Sequence, residues 1–164
     1  MRGLDPEGWE DARSLPPVLA SFSIAVIASS PLRRCLESVQ PLAATRDLEV
    51  RRYAALAPDA PLGSTLALLS ALPERTLVCS HREVIERLFD GEADCDKGGT
   101  WVLEVTGIGL APLGYLPPTS IAGNTGRLRH EGGAGWQSEY VSTAMRRQDG
   151  SSPRSTRRSI QSAR

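Results

Sequence analysis

Two short stretches hold the side chains best suited to chemistry. In VIASSPLRRCLESV, residues 26–39, an apolar run stops at two serines, a proline follows, and Arg33 and Arg34 stand where a helix should open. In RTLVCSHREVI, residues 75–85, an apolar run stops at Ser80, and His81 opens the next helix. A helix N-terminus already carries partial positive charge, so a cation there is unfavourable unless an anion offsets both. The free N–H groups of such a terminus bind phosphate, and an arginine beside them adds a planar, bidentate clamp. The same field biases a histidine towards its neutral form, which donates one hydrogen bond and accepts another. Phosphate recognition by Arg34, His81 and Ser30 is the chemistry these residues suit. Taken singly, each reads better as something plainer: a solvated arginine pair near Glu37, and a histidine packed at a helix start. Their occurrence together at one end of a sheet brings the phosphate reading level with the plain one.

The elements that must position them follow from periodicity. Trp9, Ala12, Leu15 and Leu19 recur at helical spacing and predict a helix over residues 8–20, kinked or restarted at Pro16 and Pro17. IAVIA (24–28) predicts a buried strand. Ser30 then suits an N-cap and Pro31 the first helical position, with Leu32, Cys35, Leu36 and Val39 as the apolar face. Pro41 should kink or end that helix, and LEVRRY gives a weak strand after it. Residues 61–72 predict a third helix and TLVCS (76–80) a buried strand. SHRE is a capping-box pattern in which Ser80 caps and Glu83 reaches back, opening a helix that ends near Gly91. GTWVLEV and GLAPLGYL predict a hairpin around TGIG. Short strands alternating with helices imply an α/β/α sandwich on a mostly parallel sheet, whose ligands sit beyond the carboxyl ends of the strands. Both quoted stretches lie there.

Composition narrows the class. The 164 residues suit one domain, and 40% hydrophobic content with only 5% aromatic requires an aliphatic core. Formal net charge is zero, yet residues 119–164 hold 8 Lys+Arg against 3 Asp+Glu, so an acidic body (1–118) carries a basic tail. That tail is rich in Ser, Gly and Arg with few large apolar residues, and reads as disordered. It lacks the interleaved aromatics of a nucleic-acid binder, and nucleic acid is not expected as a partner. Three cysteines without a CxxC pair argue against a disulfide framework and against zinc; Cys79 reads as a small core hydrophobe, and no metal or cofactor is expected. No apolar run approaches the ~20 residues of a membrane span, and the polar N-terminus is no signal peptide, so a cytoplasmic protein off the membrane is expected. GIG precedes a strand rather than a helix and is no dinucleotide loop, while His130 and Trp136 fall in a glycine-rich loop. Oligomeric state leaves no signal.

SSPLRRCLESVQPLA resembles the second signature of the histidine phosphatase superfamily, the phosphoglycerate mutase-like fold: serine and proline after a strand, then arginine, then a small and a hydroxyl residue. LVCSHREVI resembles its later strand-then-histidine signature. KGGTWVLEV…GLAPLGYLPP resembles the closing hairpin of the actinobacterial-type branch, and LDPEGWEDARSLPPVL its helix before the first quoted strand. The resemblance runs from Leu4 to Pro118. It implies a phosphatase in which an N-terminal arginine-histidine motif supplies a nucleophilic histidine, while arginines and a second histidine hold the phosphoryl oxygens. Arg34 matches the second arginine and His81 the second histidine; their fixed donors would stabilise charge on the transferring phosphoryl group. No histidine precedes His81, Arg82 replaces the glycine that usually follows it, and LAPD puts Pro58 where the acid glutamate is expected, with Asp59 as the nearby carboxylate. The family's central first strand would lie before Leu4.

The resemblance therefore implies hydrolysis of a phosphate monoester or phosphohistidine, with this chain incomplete or inactive as written. The alternative is a degenerate module that holds a phosphorylated small molecule or phosphoprotein without turnover. Because the tail offers no apolar residues to pack, deletion of residues 125–164 is expected to leave the thermal midpoint of the folded chain nearly unchanged. A fall of many degrees in a melting experiment would show that a folded segment was removed.

Overall fold

A computed structural model of the chain describes residues 2–92, 95–106 and 109–118. The tail expected over 119–164, with His130 and Trp136, lies outside the described residues, as does the tip of the hairpin turn.

The first helix, α1, spans Pro6–Val18. It starts two residues earlier than its apolar periodicity suggests, because Asp5 accepts a hydrogen bond from Gly8 N at 2.9 Å and Pro6 fills the first turn. Pro16 and Pro17 do not restart it. They fall in its last turn, and the helix closes normally with Leu19 N on Leu15 O at 2.9 Å. Strand β1 is Val26–Ser29, shifted towards the serines relative to the apolar run. Helix α2 then spans Arg33–Arg46. Ser30 is not its cap: Leu32 is, and no side chain caps the helix. Pro41 lies inside α2 without ending it. An interior proline costs about 3 kcal/mol, but Val39 and Leu42 are buried on this helix, and two such side chains contribute roughly 1.5–3 kcal/mol each. Packing outweighs the break.

Strand β2 (Val50–Arg52) leads to a 3-10 turn, Ala54–Leu56, and helix α3 (Leu62–Ala71). Strand β3 (Thr76–Cys79) feeds helix α4 (Arg82–Leu88), and strands β4 (Thr100–Thr106) and β5 (Gly109–Leu116) form the expected hairpin. The sheet order is β2-β1-β3, all parallel, with Ser29 opposite both Arg52 and Cys79. The hairpin is antiparallel and forms a sheet of its own.

Alternation along the central strand sorts the core into two layers. Ile27 and Leu77 face Leu19, Val39 and Leu42 of the α1/α2 side, where Val102 and Leu116 of the hairpin join the same cluster. Ala28 and Val78 face Leu56, Leu68, Leu69 and Leu72 on the α3 side. Helices on both faces of a parallel sheet give the α/β sandwich read from the sequence. No helix among the described residues is long and apolar enough to cross a membrane.

Leu42 is fully buried, so Leu42→Ala is expected to destabilise the chain by about 2–5 kcal/mol. Gly63 sits in α3 where an added Cβ meets nothing within 4 Å, so Gly63→Ala should stabilise by about 0.4–1 kcal/mol. Urea denaturation followed by circular dichroism measures both, and the opposite signs make them controls for each other.

Candidate active site

Parallel pairing of β1 with β3 sets the ends of two strands side by side. Ser30 N donates to Cys79 O at 2.9 Å, one residue beyond the last paired position. The chain after β1 therefore runs next to the chain after β3, which brings residues 30–35 against residues 79–81.

Arg34 and His81 meet there. Arg34 Nε donates to His81 Nδ1 at 3.1 Å, and Arg34 Nη2 lies 2.8 Å from the same nitrogen. A guanidinium only donates, so Nδ1 is the unprotonated nitrogen and Nε2 carries the ring proton. Nε2 then donates to Ser30 Oγ, 2.9 Å away. The imidazole is 3% exposed, with Arg34 on one nitrogen and Ser30 on the other. Burial holds its pKa below the ordinary 6.5; the Arg34 charge adds to this and Glu83 opposes it. The neutral form expected from the helix start is present, but its causes are burial and a neighbouring cation.

Ser30 serves the histidine. It is fully buried, and its Oγ also takes a long 3.4 Å contact from Leu32 N as the chain turns into α2. Ser80 is likewise no cap; its Oγ donates to Leu56 O at 2.9 Å, and His81 itself is the N-cap of α4 without a side-chain cap bond. The capping-box expectation fails because tertiary partners claim both serines. Asp59 is exposed and makes no hydrogen bond or ion pair with Arg34 or His81 among the described residues. It lies between Pro58 and Ala60, whose carbonyls accept from Arg87 Nη2 at 2.6 Å and Nη1 at 3.0 Å.

Sequence reasoning passed over Cys35. Its Sγ lies 3.5 Å from His81 Nε2 and donates to Ser80 O at 3.4 Å. The apolar spacing of α2 marked it as core, which it is at 3% exposure. Its place directly after Arg34 was the signal available. Arg33, by contrast, pairs with Glu37 at 2.6 Å in an exposed ion pair. Arg34 is exposed and has no carboxylate partner among the described residues. No group of three His, Cys, Asp or Glu side chains among the described residues could hold a metal ion.

The family model of the histidine phosphatase superfamily (branch 1) matches residues 3–57, which run from the approach to α1 through the 3-10 turn and include Arg34. Among solved structures, the chain is similar to one assigned as the phosphohistidine phosphatase SixA from Agrobacterium tumefaciens: TM-score 0.59 and 20% identity, over 71% of this chain and 84% of that one. At that identity the likeness is one of fold. No curated protein sequence is significantly similar to the chain. The family-model match ends at residue 57, short of His81, and the structural match bears on the fold.

Because the folded state holds His81 neutral, protonating it opposes folding. Its contribution to stability is complete above pH 6.5, the ordinary value, and is lost as pH falls through the lowered one. His81→Gln keeps a donor and an acceptor but cannot titrate. Thermal melts between pH 7.5 and pH 5, values chosen at roughly one unit or more either side of an ordinary histidine pKa, should show a steeper acid loss in the parent chain than in His81→Gln. Parallel curves would remove His81 from the pH response.

Proposed function

We propose that Arg34, with His81 and Ser30 behind it, is the phosphoryl-holding half of a histidine-phosphatase-type centre. The observation that carries this is Arg34 itself: an exposed residue at the uncapped start of α2, oriented by two contacts to a neutral ring nitrogen and offered no carboxylate among the described residues. An anion at that spot meets the remaining guanidinium N–H groups and the N-terminal end of a helix together. His81 fixes the guanidinium plane by accepting from Arg34 at Nδ1. Ser30 holds the opposite nitrogen and so sets which one faces Arg34.

The reaction of this lineage is hydrolysis of a phosphate monoester or a phosphohistidine, on a phosphorylated small molecule or a phosphoprotein in the cytoplasm. The sequence has two histidines, and none precedes His81. His81 is buried and committed to positioning, so it is not a nucleophile that reaches phosphorus. A covalent route needs a nucleophile from elsewhere. One edge of β3 has no partner among the described residues, and the hairpin shares the core with Leu77 without pairing to it. A further strand on that edge, bearing an arginine-histidine pair, would bring a nucleophile beside Arg34. Without one, the chain acts as a phosphate-binding module. Asp59, as the acid, requires rearrangement of the segment that Arg87 holds.

Titration with vanadate or phosphate is expected to shift the imidazole resonances of His81, and Arg34→Ala should weaken binding by about 1.5–3 kcal/mol, the scale of one charge-assisted contact. The 164-residue chain should not hydrolyse an aryl phosphate. Unchanged affinity in both Arg34→Ala and His81→Ala would sink the site; robust turnover lost in His81→Ala would require a different nucleophile.

A further inference from the structure

A cleft of about 590 Å³ opens between α4 and the segment that leads into α3. Pro58 and Leu62 form its apolar wall; Glu83 and Glu86 of α4, and Asp90 just beyond it, form the acidic one. Leu62 and Leu66, one turn apart on α3, are the exposed large apolar side chains among the described residues. The acidic wall is not balanced from within. Arg87 also lines the cleft, but its guanidinium is occupied by backbone carbonyls: Nε donates to Glu83 O at 3.1 Å, Nη1 to Ala60 O at 3.0 Å and Nη2 to Pro58 O at 2.6 Å. Glu86 has an exposed partner in Arg82 at 2.7 Å. Glu83 and Asp90 are exposed and have no hydrogen bond or ion pair among the described residues.

We propose that this cleft is the docking surface for the chain's own residues 140–147, YVSTAMRR. Arg146 and Arg147 meet Glu83 and Asp90, while Val141 and Met145 cover Leu62 and Leu66.

Charge complementarity selects the occupant. Residues 119–164 hold 8 Lys+Arg against 3 Asp+Glu, and the body carries the matching acidic excess. Two unlike walls, one apolar and one acidic, call for a segment that is both apolar and basic. Within the tail, 140–147 is where several large apolar residues run directly into paired arginines with no acid between them. Arg127 and Arg129 flank a single leucine, and the arginines from Arg154 to Arg164 have only Ile160 beside them. Reach is sufficient. At about 3.3 Å per residue, the stretch between Pro118 and Tyr140 spans up to about 70 Å, against about 30 Å across a small domain.

Asp59 stands on the same rim, between the two residues whose carbonyls Arg87 holds, so a seated tail covers the approach to it. Exposed ion pairs contribute little to folding free energy. The contact therefore governs access to the rim and leaves the thermal midpoint nearly untouched. It does not depend on the Arg34 pocket taking phosphate.

The test uses the full chain with Ser142→Cys carrying a nitroxide label, and reads the paramagnetic loss of amide signals against the same treatment of the parent chain. The amides of Leu62, Leu66, Glu83 and Asp90 should lose intensity and those of α1 should keep it. Salt at about 1 M, where the screening length falls to about 3 Å, should restore the lost signals. Arg146→Glu with Arg147→Glu should abolish the loss, and adding Glu83→Arg should bring part of it back. Loss spread evenly over the surface, centred elsewhere, or unchanged by the arginine reversal would overturn the proposal. Loss passed from a labelled chain to an unlabelled copy in a mixture would overturn it too, by making a second copy the occupant. So would α3 and α4 amide positions identical with and without the reversal, which would leave the cleft open to a different protein. Vanadate shifts at His81 report the phosphate site separately, so either reading can fail while the other stands.

Discussion

The contact between Arg34 and His81 is the constraint on which the rest of the site turns. The two residues are 47 positions apart, each in a crossover after a strand. Nothing local brings them together. They meet because β1 and β3 are parallel neighbours with Ser29 opposite Cys79, so both crossovers leave the same end of the sheet. Once His81 is buried, its two ring nitrogens must be satisfied, since a buried polar group left without a partner costs about 1–3 kcal/mol. Arg34 and Ser30 satisfy them from the β1 side. The demand of one buried ring thereby fixes the position of an arginine that would otherwise be a free surface side chain.

The fold makes room for that ring by keeping the end of β1 small. Ala28, Ser29 and Ser30 are all fully buried. A larger side chain at Ser30 would displace the His81 ring, which lies 2.9 Å from its Oγ. The aliphatic residues that hold the sandwich together lie one position earlier, at Ile27 and Leu77, and face α1 and α2. Along four residues the strand changes from supplying core volume to supplying a polar floor. The apolar run stops where it does for this reason, and the observed strand is displaced towards the serines.

The order of strands and helices was legible from the sequence because each element buries a periodic face, and the closeness of Arg34 to His81 followed from that order. What stayed hidden were the partners of short polar side chains. Ser30 and Ser80 have the local pattern of helix caps, yet Ser30 binds His81 across 51 residues and Ser80 binds Leu56 across 24. A capping pattern describes which bonds are available locally; it does not say whether a distant group competes for them. Pro41 does not end α2 for the same reason, since the cost of an interior proline is local and the burial of Val39 and Leu42 that exceeds it is not. Cys35 was hidden by agreement: a core position on an apolar face is consistent with a thiol that also touches a histidine.

Two adjacent arginines at one helix start carry the same charge in the same field, and the structure treats them differently. Arg33 reaches Glu37 one turn along, at 2.6 Å, and that carboxylate also accepts from Leu4 N at 2.7 Å. The Leu4 N–H, then Arg33, hold Glu37 below the usual carboxylate range. An exposed pair of this kind contributes little to stability, but it neutralises Arg33 and ties the lead-in of α1 to α2. Arg34 has no such answer. Its partner is a neutral ring that accepts a proton's worth of hydrogen bonding and returns no charge. At the positive end of α2, that leaves one cation oriented by a neutral ring and without a carboxylate partner among the described residues, a place that an anion from solvent would suit.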